Sequence, residues 1–148
     1  TTTYAASVTE FHAVQEVGPV LNPTLATGQI DGGVAQGIGY TLYEKCTWQN
    51  GHLANNQMTN YIMPTSADVP PIHVAFEETP SLQGAFGAKG IGELPIDGPA
   101  PAILNAVEQA LGVAFTTIPL LPEDIFERLA GESPIDDSRT GVFSEVHA

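Results

Sequence analysis

The chain has 148 residues, 43% of them hydrophobic, which suffices for one domain with its own core. It carries 17 Asp plus Glu against four Lys plus Arg, a formal charge of −13. That balance excludes the basic face that nucleic acids or anionic membranes require, and no apolar run approaches the roughly 20 residues of a membrane span.

Tyr4 to Val14 reads as the first strand, rich in Ala, Val, Thr and aromatic residues, with Val8, Glu10, His12 and Val14 on one face. Its broken alternation predicts a strand covered on both sides. His12 has no ligand-spaced partner in the sequence and reads as an ordinary strand histidine. Gly18-Pro19 and Asn22-Pro23 then break the pattern with turn chemistry.

From Thr24 to Cys46 the apolar positions Leu25, Ile30, Val34, Ile38 and Leu42 keep mostly helical spacing. Gly28, Gly32, Gly33, Gly37 and Gly39 lie inside this segment, each costing roughly 1 kcal/mol relative to Ala. A helix with that load gains from bare backbone, either by close packing or by close approach of a ligand. Gln29 and Gln36, two turns apart, share a face with Gly32 and Gly33 between them. Cys46 is the single cysteine, so no internal disulfide or thiolate metal site forms, and it reads as a half-buried apolar residue.

Asn50-Gly51, flanked by Trp48 and His52, signals a hairpin with a type I′ turn. Asn55 to Pro64 reads as an irregular connector, with Met58 and Met63 as packing residues. Pro70-Pro71 precedes a strand over Ile72 to Glu78, with Ile72, Val74 and Phe76 on one face. Glu77 and Glu78 point to opposite faces and form surface charge rather than an acid pair.

Gly84 to Pro95 is the most unusual stretch: Gly84, Gly87, Gly90 and Gly92 place four glycines in nine residues. Consecutive N–H groups in such a loop can form an anion-binding concavity, to which Lys89 adds a positive charge. Glu93 closes the run as a candidate general base. Asp97-Gly98-Pro99 starts a helix over Ala102–Leu111 with Gly112 as its C′ residue. Val113 to Leu120 reads as a strand, Pro122 opens a short helix to Leu129, and residues 131–148 form a polar tail without period. The order of elements predicts an α+β fold, with helices packed on a mixed β-sheet.

Gly87-Ala88-Lys89-Gly90-Ile91-Gly92-Glu93-Leu94-Pro95 resembles the signature of the molybdenum hydroxylase family, the xanthine dehydrogenases and aldehyde oxidoreductases. Gly28-Gln29-Ile30-Asp31-Gly32-Gly33, continuing to Tyr40, is similar to that family's pterin-side helix. Asn22-Pro23 and Tyr61-Ile62-Met63-Pro64-Thr65 are similar to further family segments, the second placed as a lining of the route to the site. The resemblance extends from about Val8 to Leu129 and implies the C-terminal part of a molybdopterin-binding subunit, with residues 1–130 as its domain and 131–148 as a tail.

By this resemblance Glu93 is the active-site base, while Gln29, Lys89, Gly90, Ile91 and Gly92 contact the cofactor. No residue is expected to ligate the metal directly. The implied reaction hydroxylates a carbon of an aldehyde or N-heteroaromatic ring with water as the oxygen source, and Lys89 helps to keep Glu93 ionised. The implied cofactor is molybdopterin, in its cytosine dinucleotide form, with molybdenum. [2Fe-2S] clusters and FAD would sit on other domains or chains, because the cluster cysteines are not in this sequence. The expected partners are the remainder of the molybdenum subunit, iron–sulfur and flavin subunits, and a small-molecule substrate. No secretory signal is visible, which suggests the cytoplasm and leaves the periplasm open. The rival reading is a non-catalytic phosphate-binding or assembly module, although no Gly-Lys-Ser/Thr nucleotide loop occurs.

Overall fold

A computed structural model describes residues 3–131. The fold is centred on one long helix, α1 (Pro23–Leu42), which follows strand β1 (Phe11–Glu16). A short hairpin, β2 (Trp48–Gln49) and β3 (His52–Leu53), precedes β4 (Ile72–Glu77), α2 (Pro99–Leu111) and α3 (Pro122–Gly131). The α+β class is as expected. Parallel and antiparallel pairings both occur, each in its own two-stranded sheet: β1 with β4 and β2 with β3. No helix among the described residues is long and apolar enough to cross a membrane.

Helix α1 starts cleanly because Pro23 sits where a missing N–H costs nothing and Asn22 Oδ1 accepts from Leu25 N at 3.1 Å. Ile30, Val34, Ile38 and Leu42, spaced by four, form a buried stripe that joins Ala13, Ile103, Leu120 and Ile125 in the core. Burying such side chains is worth about 1.5–3 kcal/mol each, which outweighs the glycine penalties along the same helix.

The first strand begins at Phe11, not Tyr4. Phe11 N donates to Pro71 O at 3.0 Å, and neither Pro70 nor Pro71 has an N–H with which to extend the ladder upstream. Tyr4 instead adopts a φ of 55° and its ring meets Phe126 of α3 edge to face, centroids 5.3 Å apart. Nor is β1 covered on both sides. Ala13 is buried, whereas His12, Val14 and Glu16 face outward, and Val14 is 72% exposed.

The predicted strand over Val113–Leu120 does not form. Both ends are buried, and Leu120 N donates to Thr41 O at 2.7 Å, so the segment crosses the end of α1 without a strand partner. Helix α2 begins at Pro99, three residues before the expected Ala102, because prolines at 99 and 101 both fall in a first turn that needs no N–H. Gly112 caps it with a φ of 70°. Cys46, Met58 and Met63 are exposed rather than packed. The tail expected over 131–148 lies, beyond Gly131, outside the described residues.

Candidate functional site

The glycines of α1 divide by face. A Cβ on Gly33 would lie 2.3 Å from Pro95 Cγ, and one on Gly37 would lie 2.6 Å from Pro99 Cγ. Pro95 and Pro99 are fully buried in these two notches, one helical turn apart. The notches therefore seat the segment that follows Glu93 directly on the helix backbone. Gly28 and Gly32, on another face, have nothing within 4 Å of the Cβ position. Close packing thus uses one side of the helix, and on another side the backbone at Gly28 and Gly32 lies open.

Pro95 anchors a single 3-10 turn, Leu94–Ile96, and Ile96 N donates back to Glu93 O at 3.1 Å. Glu93 is the residue at its start, with φ −96° and ψ 2°, in the sparsely populated bridge region where many active-site residues sit. Gln29 Nε2 donates to Gly92 O at 2.7 Å. This bond brings together two motifs 63 residues apart in sequence and leaves the Gln29 carbonyl oxygen and second N–H available to a ligand. Glu93 is exposed, and no hydrogen bond within the described chain holds its carboxylate.

The backbone N–H groups of Gly90, Ile91, Gly92 and Glu93 likewise have no acceptor within the described chain. Lys89 differs. Its N–H donates to Val17 O at 2.9 Å and its ammonium pairs with Glu16. The positive charge expected to serve a bound anion and Glu93 thus has a partner at the end of β1. Beside it, Gly18 (φ +65°) passes so close to Gly87 O that a Cβ would lie 2.5 Å away. The end of β1 and the glycine loop form one tied junction. A cleft of about 310 Å³ opens next to it, lined by Val17, Leu25, Gln29, Lys89 and Ile91 among others.

The Lys89 ammonium holds the Glu16 carboxyl below its ordinary 4.5, and the Gly18 N–H acts in the same direction. A carboxyl lowered on folding stabilises the fold above its unfolded value, and that contribution is lost as pH falls through the folded value. Glu16→Gln should therefore lower the melting temperature near neutral pH, with the gap to the parent closing below pH 4.5. Melting curves across that range check it; a gap independent of pH would show that the pair does not tie the loop.

Two segments lie elsewhere. Tyr61 donates to Glu44 Oε2 at 2.8 Å, a bond that pushes the tyrosine up to about 12, and Pro64 packs at Gly39. Residues 61–65 therefore sit toward the C-terminal end of α1, at Gly39, roughly 15 Å along the helix from Gln29 at 1.5 Å per residue. Glu78 accepts from Val20 N at 2.9 Å and serves the β1–α1 connection. Local patterns do not assign Gly33 and Gly37 as the seats of Pro95 and Pro99. A paired Gly and Pro spacing of four in both segments is the signal that could have suggested it.

A model of the molybdopterin cofactor-binding domain matches residues 1–70. The chain is 43% identical over 122 residues to a xanthine dehydrogenase molybdenum-binding subunit of Escherichia coli, covering 80% of this chain and 16% of that protein. It is 38% identical over 128 residues to the nicotine 6-hydroxylase large subunit of Paenarthrobacter nicotinovorans, covering 84% of this chain and 16% of the relative. Among solved structures, quinoline 2-oxidoreductase from Pseudomonas putida 86 superimposes with a TM-score of 0.83 at 38% identity, over 89% of this chain and 17% of that one. The aldehyde oxidoreductase of Desulfovibrio gigas superimposes with a TM-score of 0.78 at 32% identity, over 86% and 14%. The chain thus spans about a sixth of the length of the curated relatives it matches.

Proposed function

This chain belongs to the molybdenum hydroxylase family of xanthine dehydrogenase and aldehyde oxidoreductase subunits, and on that premise we propose that it supplies a catalytic base and a pterin-contacting helix to a larger molybdenum subunit. The observation that carries this reading is the Gln29–Gly92 hydrogen bond, which sets an open helix face beside the loop that presents Glu93.

The residues present fit a molybdopterin. Bare backbone at Gly28 and Gly32 admits a flat ring system at close range, and the free amide atoms of Gln29 suit a pterin edge. Four unpartnered N–H groups from Gly90 to Glu93 suit oxyanions, as backbone nests do. When bound, the molybdenum cofactor supplies the two-electron oxidation by which an oxygen from water enters a carbon–hydrogen bond. Glu93 then accepts a proton at its carboxylate, which requires it ionised and aimed, and Pro95 and Gln29 fix the loop that aims it. Lys89 acts at one remove, holding the loop to β1 through Glu16.

The substrate class is an aldehyde or an N-heteroaromatic ring carbon. The cytosine dinucleotide form of the cofactor, [2Fe-2S] clusters and FAD on neighbouring domains or chains complete the reading. Assembly with further subunits is supported by relatives described as a large subunit and as a complex subunit. Catalysis requires assembly with the rest of the molybdenum subunit, because a pterin needs enclosure on most of its surface and this cleft is open.

The test is Gln29→Ala in the assembled enzyme. Molybdenum and pterin content should fall, with activity per bound molybdenum falling much less. Unchanged occupancy would leave Gln29 with the Gly92 contact alone and remove the helix from the cofactor site. An assembled enzyme free of molybdenum in every preparation would overturn the whole reading.

A further inference from the structure

The outward face of the β1–β4 pair carries a second cluster of chemistry-bearing side chains. His12 and His73 are register partners on adjacent parallel strands, so they project side by side from the same face. Their rings stack with centroids 4.7 Å apart and 27° between planes. Glu10, two residues before His12 and on the same side, places Oε2 3.7 Å from His12 Nε2 and 4.0 Å from His73 Nε2. One ligand atom from each of the three residues can be chosen so that all lie within 4.8 Å of one another.

We propose that Glu10, His12 and His73 form a binding site for a divalent transition cation of the zinc class. Two imidazole nitrogens and one carboxylate oxygen are a donor set that suits zinc, nickel or copper rather than calcium or magnesium. A tetrahedral zinc with ligands at 2.0–2.1 Å needs its donors roughly 3.3 Å apart, so the carboxylate-to-imidazole distances of 3.7 and 4.0 Å must shorten by roughly half an ångström and the stacked rings must turn toward a common point. The side chains can make that adjustment, since all three are more than half exposed, at 62%, 65% and 55% for Glu10, His12 and His73. The ion-pair partners of Glu10 are these two imidazoles, so binding displaces no competing salt bridge. With a chain charge of −13, the surrounding field favours cations.

Three protein ligands leave a fourth position for water or for a group from a neighbouring chain. The ion would clamp the start of β1 to the start of β4. Along β1 the cluster lies roughly 13–20 Å from Glu16, where the glycine loop is tied, at about 3.3 Å per strand residue. The cluster therefore takes no part in the chemistry proposed at Glu93.

The full chain carrying Cys46→Ser, so that the exposed thiol takes no metal, is stripped with chelator and titrated with Zn²⁺ by calorimetry. The imidazole proton resonances of His12, His52 and His73 are followed in parallel by NMR. A single equivalent should bind, with the His12 and His73 resonances shifting together and those of His52 unmoved. His12→Gln or His73→Gln should weaken binding at least about tenfold, since even outer-shell partners of a metal cost roughly 10–100-fold when removed. Both positions are exposed, so unchanged spectra elsewhere separate ligand loss from misfolding. Absence of saturable binding, equal shifts at His52, or full affinity in the His12→Gln/His73→Gln double variant would overturn the site.

Discussion

Glu93→Gln should leave the assembled enzyme folded and loaded with molybdenum while turnover falls by about 10²–10⁴-fold, the usual contribution of a general base. The substitution keeps the size of the side chain and its hydrogen-bonding capacity but removes the ability to form a neutral acid. Its structural cost is small, because the Glu93 carboxylate is exposed and holds no partner in the described chain. What positions the residue is backbone: the 3-10 turn sealed by Pro95 and the Gln29 contact to Gly92. Neither depends on the charge. The measurement is single-turnover reduction by substrate, normalised to bound molybdenum, beside a melting curve. A variant that keeps its metal and reacts within about tenfold of the parent would take the base role away from Glu93.

Gly33→Ala should damage both stability and rate, and Gly32→Ala should not damage stability at all. The Gly33 methyl would sit 2.3 Å from Pro95 Cγ and 2.9 Å from Pro95 Cβ, so the turn that carries Glu93 must move off the helix. Overpacking of this kind costs about 1–3 kcal/mol, and a shift of about 1 Å in a catalytic group can cost 10²-fold in rate. Gly32, its neighbour in sequence, has open space at the same atom. There Ala gains roughly 0.5–1 kcal/mol of helix stability, at the expense of cofactor occupancy if that face lies against the pterin. Thermal unfolding of the pair and molybdenum content of the assembled enzymes distinguish the two faces. Identical melting of Gly33→Ala and the parent would mean that the notch is looser than described.

Local patterns alone determined much of this protein. The four-residue spacing of Ile30, Val34, Ile38 and Leu42 specifies α1, because buried stripes recur at the helical period. Asn22-Pro23, Asn50-Gly51, Pro99 and Gly112 set their caps and turns through backbone preferences that need no distant partner. The glycine loop and its glutamate stand out for the same reason: their composition is rare and local, and the motif led to the family.

Tertiary structure decided the rest. Phe11 starts β1 because Pro70 and Pro71, far along the chain, have no N–H with which to extend the ladder upstream. Val113–Leu120 has strand composition but no strand to pair with, and pairing is a property of two segments rather than one. Lys89 is tied to Glu16, and Gln29 to Gly92, across 73 and 63 residues. His12 looked solitary because its neighbour, His73, arrives only through the parallel register. Sequence spacing reports contacts along one element; contacts between elements depend on which backbones approach, and here Gly33 and Gly37 let Pro95 and Pro99 in.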